Sequence, residues 1–232
     1  MLTHNKTAQD MARAAIEEVK SFIKPGVTTE AEIRQHVESY LYDHGSEPFW
    51  YHGVGCLVHV GHSRSLTSQS GRQYEAGGNV VGQNDIITLD LSPTVKGDWG
   101  DFARTLFVVN GVVTEDDPAE EKYAFAMKCE KILHGFVMDV ARPDMSFATL
   151  HSLVNQQMEE LGAQNLDYSG NFGHSINVDQ ADRIYILPDN DQVLGSCRAF
   201  TFEPHLKCLG CDFGVKRENI YYFGDDGKLK EL

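Results

Sequence analysis

Thr88 to Thr105, TLDLSPTVKGDWGDFART, lies between two apolar runs: Ile86-Ile87-Thr88-Leu89 leads in and Leu106-Phe107-Val108-Val109 leads out. Gly97, Asp98 and Gly100 punctuate its middle, so it reads as a β-hairpin with the turn inside Val95-Lys96-Gly97-Asp98. Asp90 and Asp101 interrupt strands that otherwise look buried. Their separation of 11 is odd, which puts both carboxylates on one face, opposite or nearly so. Directly opposed residues have Cβ atoms ~5 Å apart, and like charges there repel. A buried carboxylate is costly unless it is paired or bound to a metal. The alternative is one aspartate bonding the turn and one on the surface.

The totals narrow the classes. The chain has 232 residues with 41% hydrophobic content, enough for one large core or two small ones. A net charge of −14 argues against nucleic-acid binding, which needs clustered Lys and Arg. No window approaches the length of a membrane span, and Met1-Leu2-Thr3-His4-Asn5-Lys6 has no signal-peptide character. A soluble, cytoplasmic protein with no membrane partner is expected. Five cysteines, an odd number, predict free thiols. Cys208-Leu-Gly-Cys211 has zinc-like spacing but no second such pair, so it reads as two loop thiols.

Outward from the hairpin, the order of elements repeats. A helical stripe runs from Thr7 to Ile23 and stops at Lys24-Pro25-Gly26. Thr28 or Thr29 caps a second helix, Glu32 being placed as a capping-box partner of Thr29, and this helix runs to His44-Gly45. Phe49-Trp50-Tyr51-His52 and Cys56 to Val60 read as strands, and Ser63 to Gly82 as a loop. After the hairpin, Pro118 opens a helix to about Val140, Arg142-Pro143-Asp144 stops it, and Ser146 caps a helix to Leu161-Gly162. Strands follow at Ala199 to Glu203 and Val215 to Phe223. The chain is therefore expected to be one α+β domain over 1–232, with pseudo-repeats at roughly 7–110 and 118–225 and the site where they meet.

The second half repeats the oddity of the first. Glu203 ends the aromatic strand Phe200-Thr201-Phe202, and Glu218 lies within Gly214-Val215-Lys216-Arg217-Glu218-Asn219-Ile220. Their separation of 15 is again odd. His174, beside Gly173, adds a neutral nitrogen ligand. An oxygen-rich set with one imidazole suits Mn²⁺, Co²⁺, Fe²⁺ or Zn²⁺. Four acids exceed the needs of one cation and point to two metals ~3.5–4 Å apart sharing bridging carboxylates.

These residues resemble the pita-bread metallopeptidases of family M24, which include methionine aminopeptidase, Xaa-Pro aminopeptidase and prolidase. The resemblance covers nearly the whole chain. It rests on Leu89-Asp90-Leu91, Gly100-Asp101-Phe102-Ala103-Arg104-Thr105, Gly173-His174, Phe202-Glu203-Pro204 and Arg217-Glu218-Asn219. It implies the pita-bread fold, pseudo-twofold helices on a curved antiparallel sheet, and two divalent ions, manganese foremost. Asp90 would chelate one, His174 and Glu203 the other, with Asp101 and Glu218 bridging. Glu203 would also be the general base. The implied substrates are peptides with a free N-terminus, cut after the first residue.

Two family histidines are absent: Ala181 stands seven residues after His174, and Arg72 about eighteen before Asp90. Of the remaining histidines, His52 and His205 are the preferred substitutes as catalytic residues, ahead of His59 and His62. The leading reading is a hydrolase of the Xaa-Pro type, with methionine aminopeptidase second. A catalytically weak or inactive peptide- or protein-binding module on the same shell is third. Phe49 and Trp50 read as exposed, serving either a pocket wall or a homodimer contact.

Overall fold

The computed structural model describes residues 2–177 and 179–232. Helix α1 (Thr3–Phe22) turns Ala8, Met11, Ala15, Ile16 and Val19 inward at helical spacing. Helix α2 (Glu30–Asp43) opens with the expected capping box: Glu32 N–H donates to Thr29 Oγ1 at 3.2 Å, and Thr29 N–H donates to Glu32 Oε2 at 2.8 Å. Strand β1 (Cys56–Val60) and the one-turn helix α3 (His62–Ser65) follow, and then a largely irregular segment.

The aspartate stretch folds as a hairpin. Strands β2 (Asp85–Leu91), β5 (Phe102–Val109) and β6 (Val112–Thr114) join β1 in a four-stranded antiparallel sheet ordered β1-β2-β5-β6. Between β2 and β5, strands β3 (Thr94–Val95) and β4 (Asp98–Trp99) close the tip around Lys96 and Gly97, both with positive φ. Asp90 faces Ala103 in the ladder. Asp101, two residues before Ala103, is therefore diagonal to Asp90 on the same face. Helices α1 and α2 cover the sheet, and their apolar faces share one core with Val58, Ile87, Leu89 and Leu106.

The second half runs through α4 (Glu121–Val140) and α5 (Phe147–Glu160). Helix α4 begins at Glu121, three residues beyond the Pro118 start that the sequence suggests. Ser146 caps α5 as expected, accepting from Thr149 N–H at 3.0 Å. Strands β7 (Ala163–Asn165), β9 (His205–Cys208) and β10 (Val215–Lys216) form one small sheet. Strands β8 (Phe200–Phe202), β11 (Asn219–Phe223) and β12 (Leu229–Glu231) form another. The strand expected at Ala199 to Glu203 forms as Phe200–Phe202 and stops at Glu203-Pro204, whereas the one expected at Val215 to Phe223 is broken at Arg217-Glu218. Pro204 has no N–H to give the ladder, and the Glu218 N–H donates instead to Ala103 O at 3.0 Å. The register nevertheless carries across: Phe202 pairs Asn219 and His205 pairs Lys216, which sets Glu203 opposite Glu218.

Residues 50–53 form a turn where the sequence suggests a strand from Phe49 to His52. His52 (φ 55°) and Gly53 (φ 75°) bend the chain. The Trp50 indole turns inward, donating to Gly100 O at 2.8 Å and stacking on Trp99 with centroids 4.5 Å apart. Phe49 and Trp50 are consequently buried, not exposed. Among the described residues, no helix is long and apolar enough to cross a membrane, and all five cysteines are free.

Candidate metal centre

The two halves meet where β5 lies beside β10 and β11. Ala103 and Glu218 form a bridge across the junction. Thr105 Oγ1 donates to Lys216 O at 3.0 Å and accepts from Lys216 N–H at 2.8 Å. The buried Arg104 guanidinium donates to Ala103 O and Glu218 O, both at 2.8 Å, and to Asn219 Oδ1 at 2.8 Å. It also pairs with Glu115 Oε1 at 2.9 Å and lies over the Phe102 ring. The Arg-Thr pair after Asp101 is therefore the clasp that fixes the strand bearing Glu218.

Asp101 is placed by α1, where Gln9 Oε1 accepts its backbone N–H at 2.7 Å. Gly100 allows this approach, because a Cβ there would sit 2.8 Å from the Ala8 Cβ. His174 is held by a bond from its N–H to Thr201 Oγ1 at 2.9 Å. Its Nδ1 lies 3.0 Å from Ser175 O, which assigns the proton to Nδ1 and turns the Nε2 lone pair inward.

Among the described residues, one group of three ligating side chains converges: Asp101, His174 and Glu218 offer atoms all within 4.8 Å of one another. Nε2 of His174 lies 3.3 Å from Asp101 Oδ2 and 3.8 Å from Glu203 Oε1. Asp101 Oδ2 and both Glu218 carboxylate oxygens are buried without a hydrogen-bond partner. Such oxygens are costly to leave bare, and a divalent cation preferring oxygen and imidazole satisfies them. The donor set therefore fits a metal.

The electrostatics agree. Burial pushes the Asp101 carboxyl up to about 6 against the opposing pull of His174. Burial, then the like charges of Asp101 and Glu203, push Glu218 well above the carboxylate range. Burial would lower His174, but Asp101 and Glu203 outweigh it and raise it. Carboxylates raised in this way are the ones a bound cation would stabilise in the ionised form. Glu203 behaves differently: burial raises it, yet Lys216 and His174 prevail and hold it below its usual value.

The remaining expected residues are distributed around this trio. Glu203 adjoins it through Oε1, while Asp90 does not: its Oδ2 pairs with Lys216 Nζ at 2.6 Å. His205 lies behind the centre, its Nε2–H donating to Ser65 O at 2.7 Å, in a small cavity shared with His59, Asp90, Glu203 and Lys216. Burial lowers both of these histidines to about 4. His52 lines an outer hollow with Arg72, Ala181 and Arg183 and is absent from the wall of the central pocket.

Two residues that sequence reasoning passed over complete the pocket. Lys216 lies in a quoted motif, and its spacing of two from Glu218 on a strand was the available signal. Arg183 has no sequence signal; its guanidinium lies over Trp50, Tyr51 and Tyr185, 5.3 to 5.7 Å from their centroids.

Comparison with known proteins places this geometry. The chain is 29% identical over 105 residues to methionine aminopeptidase A of Synechocystis sp., spanning 44% of this chain and 40% of that one. Its fold matches an X-Pro aminopeptidase from Thermotoga maritima over 99% of this chain and 59% of that one, at 20% identity and TM-score 0.77. An Xaa-Pro dipeptidase from Bacillus anthracis matches at 24% identity and TM-score 0.73, again over 99% and 59%. The chain thus spans about three fifths of these solved structures and less of the curated relative. Residues 3–225 match metallopeptidase family M24; with nearly its whole length covered, the chain belongs to that family.

Proposed function

We propose that the protein is a metal-dependent hydrolase that removes the N-terminal residue of short peptides, of the Xaa-Pro type. The observation that carries this reading is the buried convergence of Asp101, His174 and Glu218 with bare carboxylate oxygens. These three residues would hold a divalent ion, manganese foremost. When bound, such an ion polarises a carbonyl and brings the pKa of water toward neutrality. Glu203, kept ionised by Lys216 and His174, is the carboxylate able to accept a proton beside it. Trp50, Tyr51 and Tyr185 line the pocket and give it an aromatic wall that suits a proline ring. Arg183 beside them is placed to receive a peptide carboxylate, which favours dipeptides.

The sequence reading of two ions gives Asp90 to one and His174 and Glu203 to the other, with Asp101 and Glu218 bridging, and Lys216 already lies between Asp90 and Glu203. The matching order of helices and hairpins in the two halves supports the reading of one duplicated domain. A methionine aminopeptidase remains the second reading, favoured by the 105-residue similarity to such an enzyme.

The test is to load the purified protein with Mn²⁺ or Co²⁺ and supply Xaa-Pro dipeptides, longer Xaa-Pro peptides and Met-Ala peptides. Metal-dependent release of the first residue is expected, fastest from the Xaa-Pro dipeptides and abolished by chelator. Preferential cleavage of Met-Ala would favour the second reading. No release from any substrate would overturn both and leave a binding module.

A further inference from the structure

Lys216 occupies the place of a cation. Its Nζ lies 2.6 Å from Asp90 Oδ2, 2.9 Å from Glu203 Oε2 and 3.6 Å from Glu218 Oε2. Three of the four carboxylates read from the sequence as metal ligands therefore already face one fixed positive charge. The backbone below it is anchored on both sides, by the two bonds to Thr105 Oγ1 and by pairing with His205. The acidic groups sort accordingly. Asp90 Oδ2 and Glu203 Oε2 turn to the ammonium, while Asp101 and Glu203 Oε1 turn to His174. The oxygens without a hydrogen-bond partner, Asp101 Oδ2 and the Glu218 pair, belong to the histidine-side trio, Glu218 Oε2 facing the ammonium only from 3.6 Å.

We propose that this chain binds one divalent ion, at Asp101, His174 and Glu218, and that the Lys216 ammonium stands permanently in place of a second. The inference rests on the metallopeptidase reading and departs from the two-ion expectation. In the two-ion expectation, the ion on Asp90, shared with Asp101 and Glu218, would sit ~2.0–2.2 Å from their oxygens. Asp90 Oδ2 and Glu218 Oε2 already face Nζ, at 2.6 and 3.6 Å, so that ion and the ammonium compete for the same oxygens. Departure of the ammonium would separate a buried charge from its ion-pair partners, which is strongly unfavourable. Lys216 lines the central pocket beside Asp90. It thus supplies fixed positive charge toward the substrate without needing a metal.

Metal stoichiometry tests this independently of turnover. Metal-free protein is titrated with Mn²⁺ by calorimetry and followed by electron paramagnetic resonance. The unaltered chain is expected to take up one equivalent and show the spectrum of isolated Mn²⁺. Lys216→Met is expected to take up two and show exchange coupling between them, while Lys216→Arg stays at one. Two equivalents with a coupled spectrum in the unaltered chain would overturn the proposal. So would a Lys216→Met protein that folds but stays at one. Binding of no metal would remove the peptidase reading together with this one. If Lys216→Met does not fold, the stoichiometry of the unaltered chain decides alone.

Discussion

At the scale of single residues, the chemistry follows from which buried charges have partners. Asp90 has Lys216 at 2.6 Å, whereas Asp101 Oδ2 and both Glu218 oxygens have no hydrogen-bond partner. Glu130, on α4 and outside the centre, is a third case. It is 2% exposed, its Oε1 has no hydrogen-bond partner, and burial pushes its carboxyl up to about 8 against the pull of Arg217 and Arg104. The folded chain therefore keeps a proton that an unfolded chain releases near the ordinary value of 4.5. Stability should fall as pH rises from about 4.5 to about 8. Glu130→Gln should flatten that fall and raise the unfolding free energy at pH 8 by on the order of a few kcal/mol. Urea unfolding at pH 5 and pH 8 measures it, and an undiminished pH slope in the variant would count against it. The acids were readable because each breaks an apolar strand. Lys216 was not assigned, because a lysine beside an arginine reads as a solvated face until the opposing strand is known.

At the scale of elements, the helix caps and the strand end at Glu203 were legible, and the break inside Val215 to Phe223 was not. Thr29 with Glu32, and Ser146, act through bonds within three residues, so sequence alone locates them. The break at Arg217-Glu218 depends on Ala103 taking the Glu218 N–H, a contact from the other half. The segment before His174 shows how tightly one element can be held. Gly173 has φ 143°, and a Cβ there would fall 2.2 Å from Thr201 O and 2.8 Å from its carbonyl carbon. That backbone cannot retreat readily, since Thr201 N–H donates to His174 O at 2.7 Å. Gly173→Ala should destabilise by about 3 kcal/mol through strain and overpacking and weaken Mn²⁺ binding. A thermal midpoint equal to that of the unaltered protein would refute this.

At the scale of the whole molecule, the pita-bread fold works as a joint between two hairpin-bearing halves, and Arg104 is its fastener. Arg104→Ala would leave the Ala103 and Glu218 carbonyls and the Glu115 carboxylate without their shared donor. The expected loss is about 3–5 kcal/mol, as for a broken buried ion pair. Arg104→Lys should recover only part of it, because one ammonium cannot serve a forked set of acceptors. Equilibrium urea unfolding with and without Mn²⁺ reads both effects, and unchanged midpoints would dismiss the clasp. By itself the sequence determined the first hairpin, the helix caps, the acids that interrupt apolar strands and the resemblance to the family. Those features arise from short-range periodicity, turn chemistry and residue type. Only the tertiary structure decided how the charges are shared, with Lys216 meeting Asp90 across 126 residues of chain and His174 meeting Asp101. Such pairings depend on how separately folded strands dock, and no local pattern encodes that distance.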